Sequence, residues 1–504
     1  MKIASAAAMR EMDRYAIEEM GVSSLDLMEH AALAVVDQVC RLAKAPEGAV
    51  VIFSGAGNNG GDGVACARFL LQRGYQVRCF LCGAREKMTP DLRQMERRLQ
   101  AAGGALEPFS AASARRAAAH AAVLVDALFG TGLNAPLRGD GLAAVRIINE
   151  SGARVVACDI ASGVSADTGE ILEDAVQADV TVTFSMAKPG QLLPPGLRCT
   201  GRLVVAEIGI PQEAKARQRV LGELIAPEQV RTLLPPRRAD AHKGDFGKLL
   251  LVCGSVGFTG AAAMAARAAL RAGAGLISLG VPACVYPIVA SKLDEVMVFP
   301  LPDDGQGRIS AAAASEVLRR LPGMTACLIG PGLGRSEAVL ELVRAALQNQ
   351  DHVPIVLDAD GINALEGHID VLRGATCPVV LTPHDGEFAR LGGDLKAYNR
   401  LDAAQVLSEQ TGAVVVLKGH RTVVASGQSR YVNLTGNPGM ATGGSGDVLA
   451  GMLVSFLGQG LPAVDAARAA VCLHGAAGDL CAEEIGQYGL TPTDLIAAIP
   501  RLLP

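Results

Sequence analysis

The stretch Asn437-Pro438-Gly439-Met440-Ala441-Thr442-Gly443-Gly444-Ser445-Gly446-Asp447 runs directly into the apolar segment Val448–Leu457. Its glycines let the backbone approach a phosphate closely and leave N–H groups free to bind it. A helix beginning after such a loop adds the positive end of its dipole. Asp447 falls at that helix start, where a carboxylate can take a proton from an attacking hydroxyl while the amides hold the phosphate. A Gly-rich turn capped by Asp is the plainer account of a lone G-x-G-D. The longer string T-G-G-S-G-D-V-L-A-G favours a phosphate site.

Around this stretch, short β-branched runs alternate with Ala- and Leu-rich helical patterns. In the second half, strands are expected at Lys248–Cys253, Leu276–Gly280, Ala326–Ile329, Ile355–Asp358, Val379–Thr382, Val414–Lys418 and Thr422–Ser426. In the first half they are expected at Ala49–Ser54, Gln76–Cys82, Ala122–Asp126, Arg154–Asp159, Val180–Phe184 and Arg202–Ile208. This alternation predicts doubly wound α/β sheets with ligands at the strand C-termini. Pro211, Pro227, Pro235 and Pro236 bracket a polar stretch, which places a domain boundary near 215–228.

The bulk numbers agree. A chain of 504 residues accommodates two to four domains. Half its residues are hydrophobic, only 3% are aromatic and Trp is absent, which suits parallel sheets under closely packed small-residue helices. The net charge is −5 and no basic run occurs, so nucleic acid is not an expected partner. Arg10, Glu11, Asp13 and Arg14 follow the first residues at once, unlike a signal peptide. No apolar stretch reaches membrane-span length. Twelve cysteines, of which only Cys79 and Cys82 form a C-x-x-C with no second such motif to pair with, read as reduced thiols of a cytoplasmic protein.

Further loops follow the expected strands. Lys418-Gly419-His420-Arg421-Thr422 offers a Lys and a Thr to a nucleotide's phosphates, although an ordinary hairpin explains it equally well. Gly330-Pro331-Gly332-Leu333-Gly334, Asp358-Ala359-Asp360-Gly361 and Thr382-Pro383-His384-Asp385-Gly386-Glu387 recur at successive strand ends. His384 reads as a substrate contact ahead of a helix cap. Glu387 reads equally as a helix-start residue or as a group behind a metal. Gly254–Ala262 is a glycine loop with only a weak likeness to a dinucleotide fingerprint.

The C-terminal half resembles the ribokinase-like fold and, within it, the ADP/ATP-dependent NAD(P)H-hydrate dehydratases. The strings that carry this are His242–Lys248, Gly330–Gly334, Leu381–His384, Lys418-Gly419 and Asn437–Gly451, and the resemblance spans 225–504. That family has Pro where Asp385 stands. The resemblance implies that a hydrated NADH or NADPH is phosphorylated from ADP or ATP and then loses phosphate, which restores the reduced nicotinamide. It implies Asp447 as base, with Gly446 and Lys418, Gly419, His420, Arg421 and Thr422 on the nucleotide. It places Ala261, Gly332 and His384 at the hydrate, and Mg²⁺ on the phosphates.

In the first half, Ser54-Gly55-Ala56-Gly57-Asn58-Asn59-Gly60-Gly61-Asp62-Gly63 lies between a strand and the helical run Val64–Arg73. Glycine amides at a helix start fit a pyrophosphate. Asn59, Asp126 and Ser162 then stand at three strand ends, a low-charge oxygen set that suits a monovalent cation better than Zn²⁺. These strings, with Phe184–Gly190, resemble the NAD(P)H-hydrate epimerase domain, a Rossmann-like three-layer sandwich, over 1–217. The resemblance implies hydrate binding by Asn58, Asn59, Gly60, Gly61, Asp62, Gly130, Thr131, Gly132, Leu133, Asn134, Ala135, Pro136 and Asp159. It implies K⁺ on Asn59, Asp126 and Ser162. Asp159 and Lys188 are the candidates for proton handling, with a solvated strand-end lysine as the plainer account of Lys188. His30 stands where that family has Asn.

Together the halves imply a bifunctional enzyme. One interconverts the two epimers of the hydrate, and the other dehydrates one of them at the expense of ADP. A homo-oligomer is expected. Three rivals remain at this stage: a vitamin or sugar kinase, an N-terminal binding module without catalysis, and an oxidoreductase. The last lacks a complete G-x-G-x-x-G with a downstream ribose acid.

Overall fold

The computed structural model describes residues 1–43, 48–349 and 352–504. The chain divides into two compact units, Met1–Glu223 and Leu224–Pro504. Residues 218–223, which lie between the two expected domains, fall with the first unit.

The N-terminal unit is built on a seven-stranded sheet. Across it run Leu106–Pro108, Val77–Leu81, Val50–Ser54, Val123–Ala127, Arg154–Cys158, Val180–Phe184 and Arg202–Ala206, all parallel. Val50 and Ile52 face one apolar layer with Val64 and Ala65, while Val51 and Phe53 face a second layer with Val145 and Ile148. Side chains alternate across a strand, so burial on both faces needs a continuous apolar run, as Val50–Phe53 is. The chain moves outward from Val50–Ser54 to one edge and then returns to Val123–Ala127 on the other side. The strand order therefore reverses between these two, and an open α/β sheet binds ligands at such a crevice.

In the C-terminal unit the order is Ser429–Val432, Val423–Ser426, Val414–Leu417, Val379–Leu381, Ile355–Leu357, Ala326–Ile329, Lys248–Val252, Leu276–Pro282 and Met297–Leu301. The strands from Val414–Leu417 to Met297–Leu301 are parallel; the other two join antiparallel. Here the order reverses between Lys248–Val252 and Ala326–Ile329, the strands that lead into Gly254–Ala262 and Gly330–Gly334.

Eleven of the thirteen expected strands differ from the sequence expectation by one or two residues at one end or both. Leu106–Pro108, Met297–Leu301 and Ser429–Val432 are strands that the sequence reading lacks. Met297–Leu301 carries Pro300 on a sheet edge, a place where a strand tolerates a residue without an N–H. Ser429–Val432 pairs back on Val423–Ser426 through a tight turn with Gly427 at φ 52°, a left-handed position that glycine supplies in short hairpin turns. The glycine strings also move: Asn58–Gly63 is not a loop but the first turns of the helix Asn58–Gln72. Likewise Ser445–Asp447 opens the helix Ser445–Gly458.

Candidate active sites

In the N-terminal unit the loops leaving Val50–Ser54 and Val123–Ala127 meet at the reversal of strand order. Helix Asn58–Gln72 comes so close that a Cβ on Gly60 would stand 1.9 Å from the Gly55 carbonyl oxygen. Only glycine permits that approach. Asn59 sits in the first helical turn, not at a strand end, and its amide nitrogen and oxygen are buried without a hydrogen-bond partner among the described residues. A Cβ on Gly130 would lie 3.3 Å from both Asn59 Oδ1 and Asp159 Oδ2, so these two oxygens flank the Gly130 loop.

Asp126 is fully buried at the end of its strand. Ser162 Oγ donates to its Oδ1 at 2.6 Å, Ser162 N to its Oδ2 at 2.8 Å and Leu128 N to Oδ1 at 3.2 Å. Phe129 N donates to Ser162 Oγ at 2.9 Å. Asn59, Asp126 and Ser162 thus converge on the segment 126–130. Thr131, Gly132, Leu133, Asn134, Ala135 and Pro136 continue that loop, and Gly132 has open space around it.

Asp159 has φ 65°, left-handed backbone that costs a non-glycine residue energy. It is held there by Asp159 N donating to Val182 O at 2.8 Å and by Gln191 Nε2 donating to Asp159 O at 2.6 Å. Lys188 is not a solvated lysine: its side chain is 1% exposed, and Nζ donates to Asp159 Oδ1 at 2.6 Å and Thr183 Oγ1 at 2.7 Å. A buried ammonium persists only with such partners. Burial, and then the charges of Asp159 and Asp13, push the Asp62 carboxyl well above the usual range. His30 Nδ1 lies 2.8 Å from the Ile208 carbonyl oxygen.

In the C-terminal unit one cavity of about 430 Å³ is lined by Lys418, Gly419, His420, Arg421, Thr422 and Gly446, together with Asn433, Asn437, Ser445 and His474. All six expected nucleotide residues therefore share one space. Gly444, at φ 100°, occupies a left-handed position at the helix start. Gly446 places its α-carbon beside Lys418, since a Cβ there would lie 3.5 Å from Lys418 Nζ. Lys418 Nζ donates to Asp358 Oδ1 at 2.8 Å and lies 3.6 Å from Glu387 Oε2. Thr382 Oγ1 donates to the same Asp358 oxygen at 2.6 Å. Burial, reinforced by Asp358 and opposed by Lys418, pushes the Asp447 carboxyl up to about 7. A base at that value exchanges protons readily near neutral pH. Burial lowers the His474 ring to about 4, so it is neutral, and its Nε2 is 3.4 Å from Ser445 Oγ.

Ala261 and Gly332 are neighbours, since a Cβ on Gly332 would lie 3.1 Å from that of Ala261. His384 fills one of its two expected roles, helix capping, and its exposure leaves the other, a substrate contact, open. It caps helix Asp385–Arg390, accepting from Gly386 N and Glu387 N, and its side chain is 55% exposed. Glu387 is buried and accepts from His384 N at 2.9 Å, closing a capping box. Asp385 pairs with Arg400 at 2.6 Å.

A family model described as NAD(P)H-hydrate dehydratase matches residues 249–501, and one described as a YjeF-related protein N-terminus matches 24–190. The chain is 43% identical to a bifunctional NAD(P)H-hydrate repair enzyme of Moorella thermoacetica, covering 100% of this chain and 97% of that one. The chain belongs to the family of bifunctional NAD(P)H-hydrate repair enzymes. Another member, from Thermofilum pendens, is 39% identical over 100% of this chain and 96% of its own. A solved ribokinase-like superfamily protein from Enterococcus faecalis matches at a TM-score of 0.50 and 27% identity, covering 56% of this chain and 95% of that chain.

Within this family member, several site groups carry no signal in the sequence. Asn433 and His474 reach the cavity from a strand end and a helix that read as structural. Thr183 and Gln191 support Asp159 and Lys188 from positions of ordinary strand and turn character. A buried polar residue on an apolar element is the available sign, and Gln191 and His474 bear it.

Proposed function

We propose that the N-terminal unit interconverts the two epimers of hydrated NADH or NADPH, and that the C-terminal unit dehydrates the S epimer from ADP, releasing AMP and phosphate. The observation that carries this reading is Asp447, a carboxyl near neutrality at a helix start beside the cavity of Lys418–Thr422 and Gly446. Asp447 takes the proton of the hydrate's hydroxyl as that oxygen attacks the terminal phosphate. Lys418 and the amides of the helix start stabilise the charge that develops. Phosphate then leaves far more readily than hydroxide would. Ala261, Gly332 and His384 orient the hydrate.

In the first unit Asn58–Asp62 and Gly130–Pro136 hold the hydrate, and Asp159 with Lys188 moves the proton. The unpartnered amide of Asn59, with Asp126 and Ser162, fits a monovalent cation, and we assign these three to K⁺. K⁺ held by these residues would supply a fixed positive charge to the site. Among the described residues no group of three or more His, Cys, Asp or Glu side chains is gathered to hold a metal, so Mg²⁺ in this reading arrives on the nucleotide's phosphates. No described helix is long and apolar enough to cross a membrane. Homo-oligomeric assembly and a cytoplasmic location complete the reading, the latter supported by twelve free cysteines.

The test uses an epimeric mixture of NADH hydrate with Mg²⁺ and K⁺, following the absorbance of reduced nicotinamide with ADP, with ATP and with neither. Complete ADP-dependent recovery, beyond that of an Asp159→Asn control, is expected. Recovery of one epimer alone removes the epimerase assignment. A stable phosphorylated product without recovered absorbance replaces the reading with a small-molecule kinase.

A further inference from the structure

Asp13 lies outside residues 24–190, the stretch that the family model matches, yet the fold brings it to Lys188. The chain start is tied to the loop that carries this lysine. Ala4 N donates to Ala187 O at 2.9 Å and Ala187 N to Lys2 O at 3.1 Å. Ala6 N, opening the helix Ala6–Arg14, donates to Asp167 Oδ1 at 2.7 Å. Met9 and Met12 anchor the helix in the core. Immediately after it comes a π-helical stretch, Tyr15–Glu19, an irregularity that proteins often place at functional sites.

Asp159 is in contact with the Lys188 ammonium, Asp13 lies within charge range of both Lys188 and Asp159, and Asp62 lies within charge range of Asp13 and Asp159. Lys188 donates to Asp159, Thr183 and the Phe184 carbonyl, which uses all its protons. Among the described residues, neither the Asp13 nor the Asp62 carboxyl has a hydrogen-bond donor.

The chemistry of the proposed epimerisation asks for a second proton carrier. Water added to the ring double bond leaves a hydroxyl and the ring nitrogen on one carbon. Such a carbon inverts when the hydroxyl proton leaves, the C–O bond becomes a carbonyl and the C–N bond breaks. The C–N electron pair goes to nitrogen, which takes a proton. Rotation and the reverse steps close the ring on the other face. Asp159, paired with Lys188, takes the hydroxyl proton, and a different group must supply nitrogen.

We infer that Asp13 is this second carrier, the carboxylic acid that protonates the ring nitrogen as the ring opens and recovers the proton as it closes. The inference rests on the epimerase reading of this unit. Burial, raised further by Asp159 and opposed by Lys188, brings Asp13 to about 6. Of the other charges around its helix, Arg10 is exposed, Glu11 pairs with Arg14, Glu213 with the Tyr15 hydroxyl, Lys215 with Glu207, and Asp167 with Ala6 N. Asp62, on helix Asn58–Gln72, is the remaining carboxyl that faces Asp13.

The test starts from one purified epimer of NADH hydrate with K⁺ and no ADP, and follows the other epimer by chromatography. Asp13→Asn keeps the shape and removes the acid. It should lower kcat about 100-fold or more with little change in KM. It should also abolish the decline of kcat that the wild type shows as pH rises through about 6 and the acid ionises. ADP-dependent dehydration of the reactive epimer by the same preparation should be unchanged, which reports an intact chain. Wild-type rate and pH profile in Asp13→Asn overturn the inference, as does loss in Asp13→Ala with a normal Asp13→Asn. A wild-type chain no faster than the spontaneous reaction overturns the epimerase reading itself.

Discussion

Asp447 is set by its surroundings to work near neutral pH, and that setting has a cost in stability. Its carboxyl is raised from 3.8 to about 7, chiefly by burial. A group whose folded value is raised contributes stability that is complete below its unfolded value and is lost as pH rises through the folded one. Folding should therefore weaken between about pH 4 and 7 by up to about 4 kcal/mol from this group. Asp447→Asn should then raise Tm at pH 8 and hardly change it at pH 4, by calorimetry, while dehydration slows about 10²- to 10⁴-fold. The wild-type kcat/KM for dehydration should rise with pH through about 7, as the base ionises. Asn59 offers a second test at this scale. Its buried amide lacks a partner, so K⁺ in place of tetramethylammonium should raise Tm by about 2–4 °C. Asn59→Ala should abolish that gain without changing the Tm measured in tetramethylammonium by more than a few degrees.

At the scale of elements, the helix Asp385–Arg390 shows how a local departure is absorbed. His384 is its cap and Asp385 its first residue, a position where proline is well tolerated because that N–H has no intrahelical partner. Arg400, the partner of Asp385, also donates to the Lys418 carbonyl at 2.7 Å, so it remains anchored without the pair. Asp385→Pro is expected to change stability by less than about 1 kcal/mol in denaturant melts and to leave dehydration intact. The capping boxes and helix starts were partly legible: T-G-G-S-G-D announces one helix start. N-N-G-G-D-G looked like a loop because glycine and asparagine are poor helix formers. Tertiary contact overrode that propensity, since the close approach of Gly60 to Gly55 requires a helix there.

At the scale of the whole molecule, the two units carry separate chemistry on one chain. Asp447→Asn should epimerise but not dehydrate, and Asp159→Asn should dehydrate one epimer only. Mixing the two purified variants should restore complete recovery of reduced nicotinamide, measured with ADP and an epimeric mixture. Failure of the mixture, with each single activity intact, would mean that the hydrate does not exchange between chains.

The alternation of strands and helices, the apolar runs buried on both sheet faces and the glycine-rich strings at strand ends were determined by the sequence itself. They depend on periodicity and on backbone freedom, which neighbouring residues set. The placement of Asp13 beside Lys188, of His474 beside Ser445 and of Lys188 out of water was decided only by the tertiary structure. Each of these brings together residues dozens to well over a hundred positions apart, and no local pattern encodes that distance. The same holds for the acidity of Asp447, because desolvation is a property of everything packed around a group.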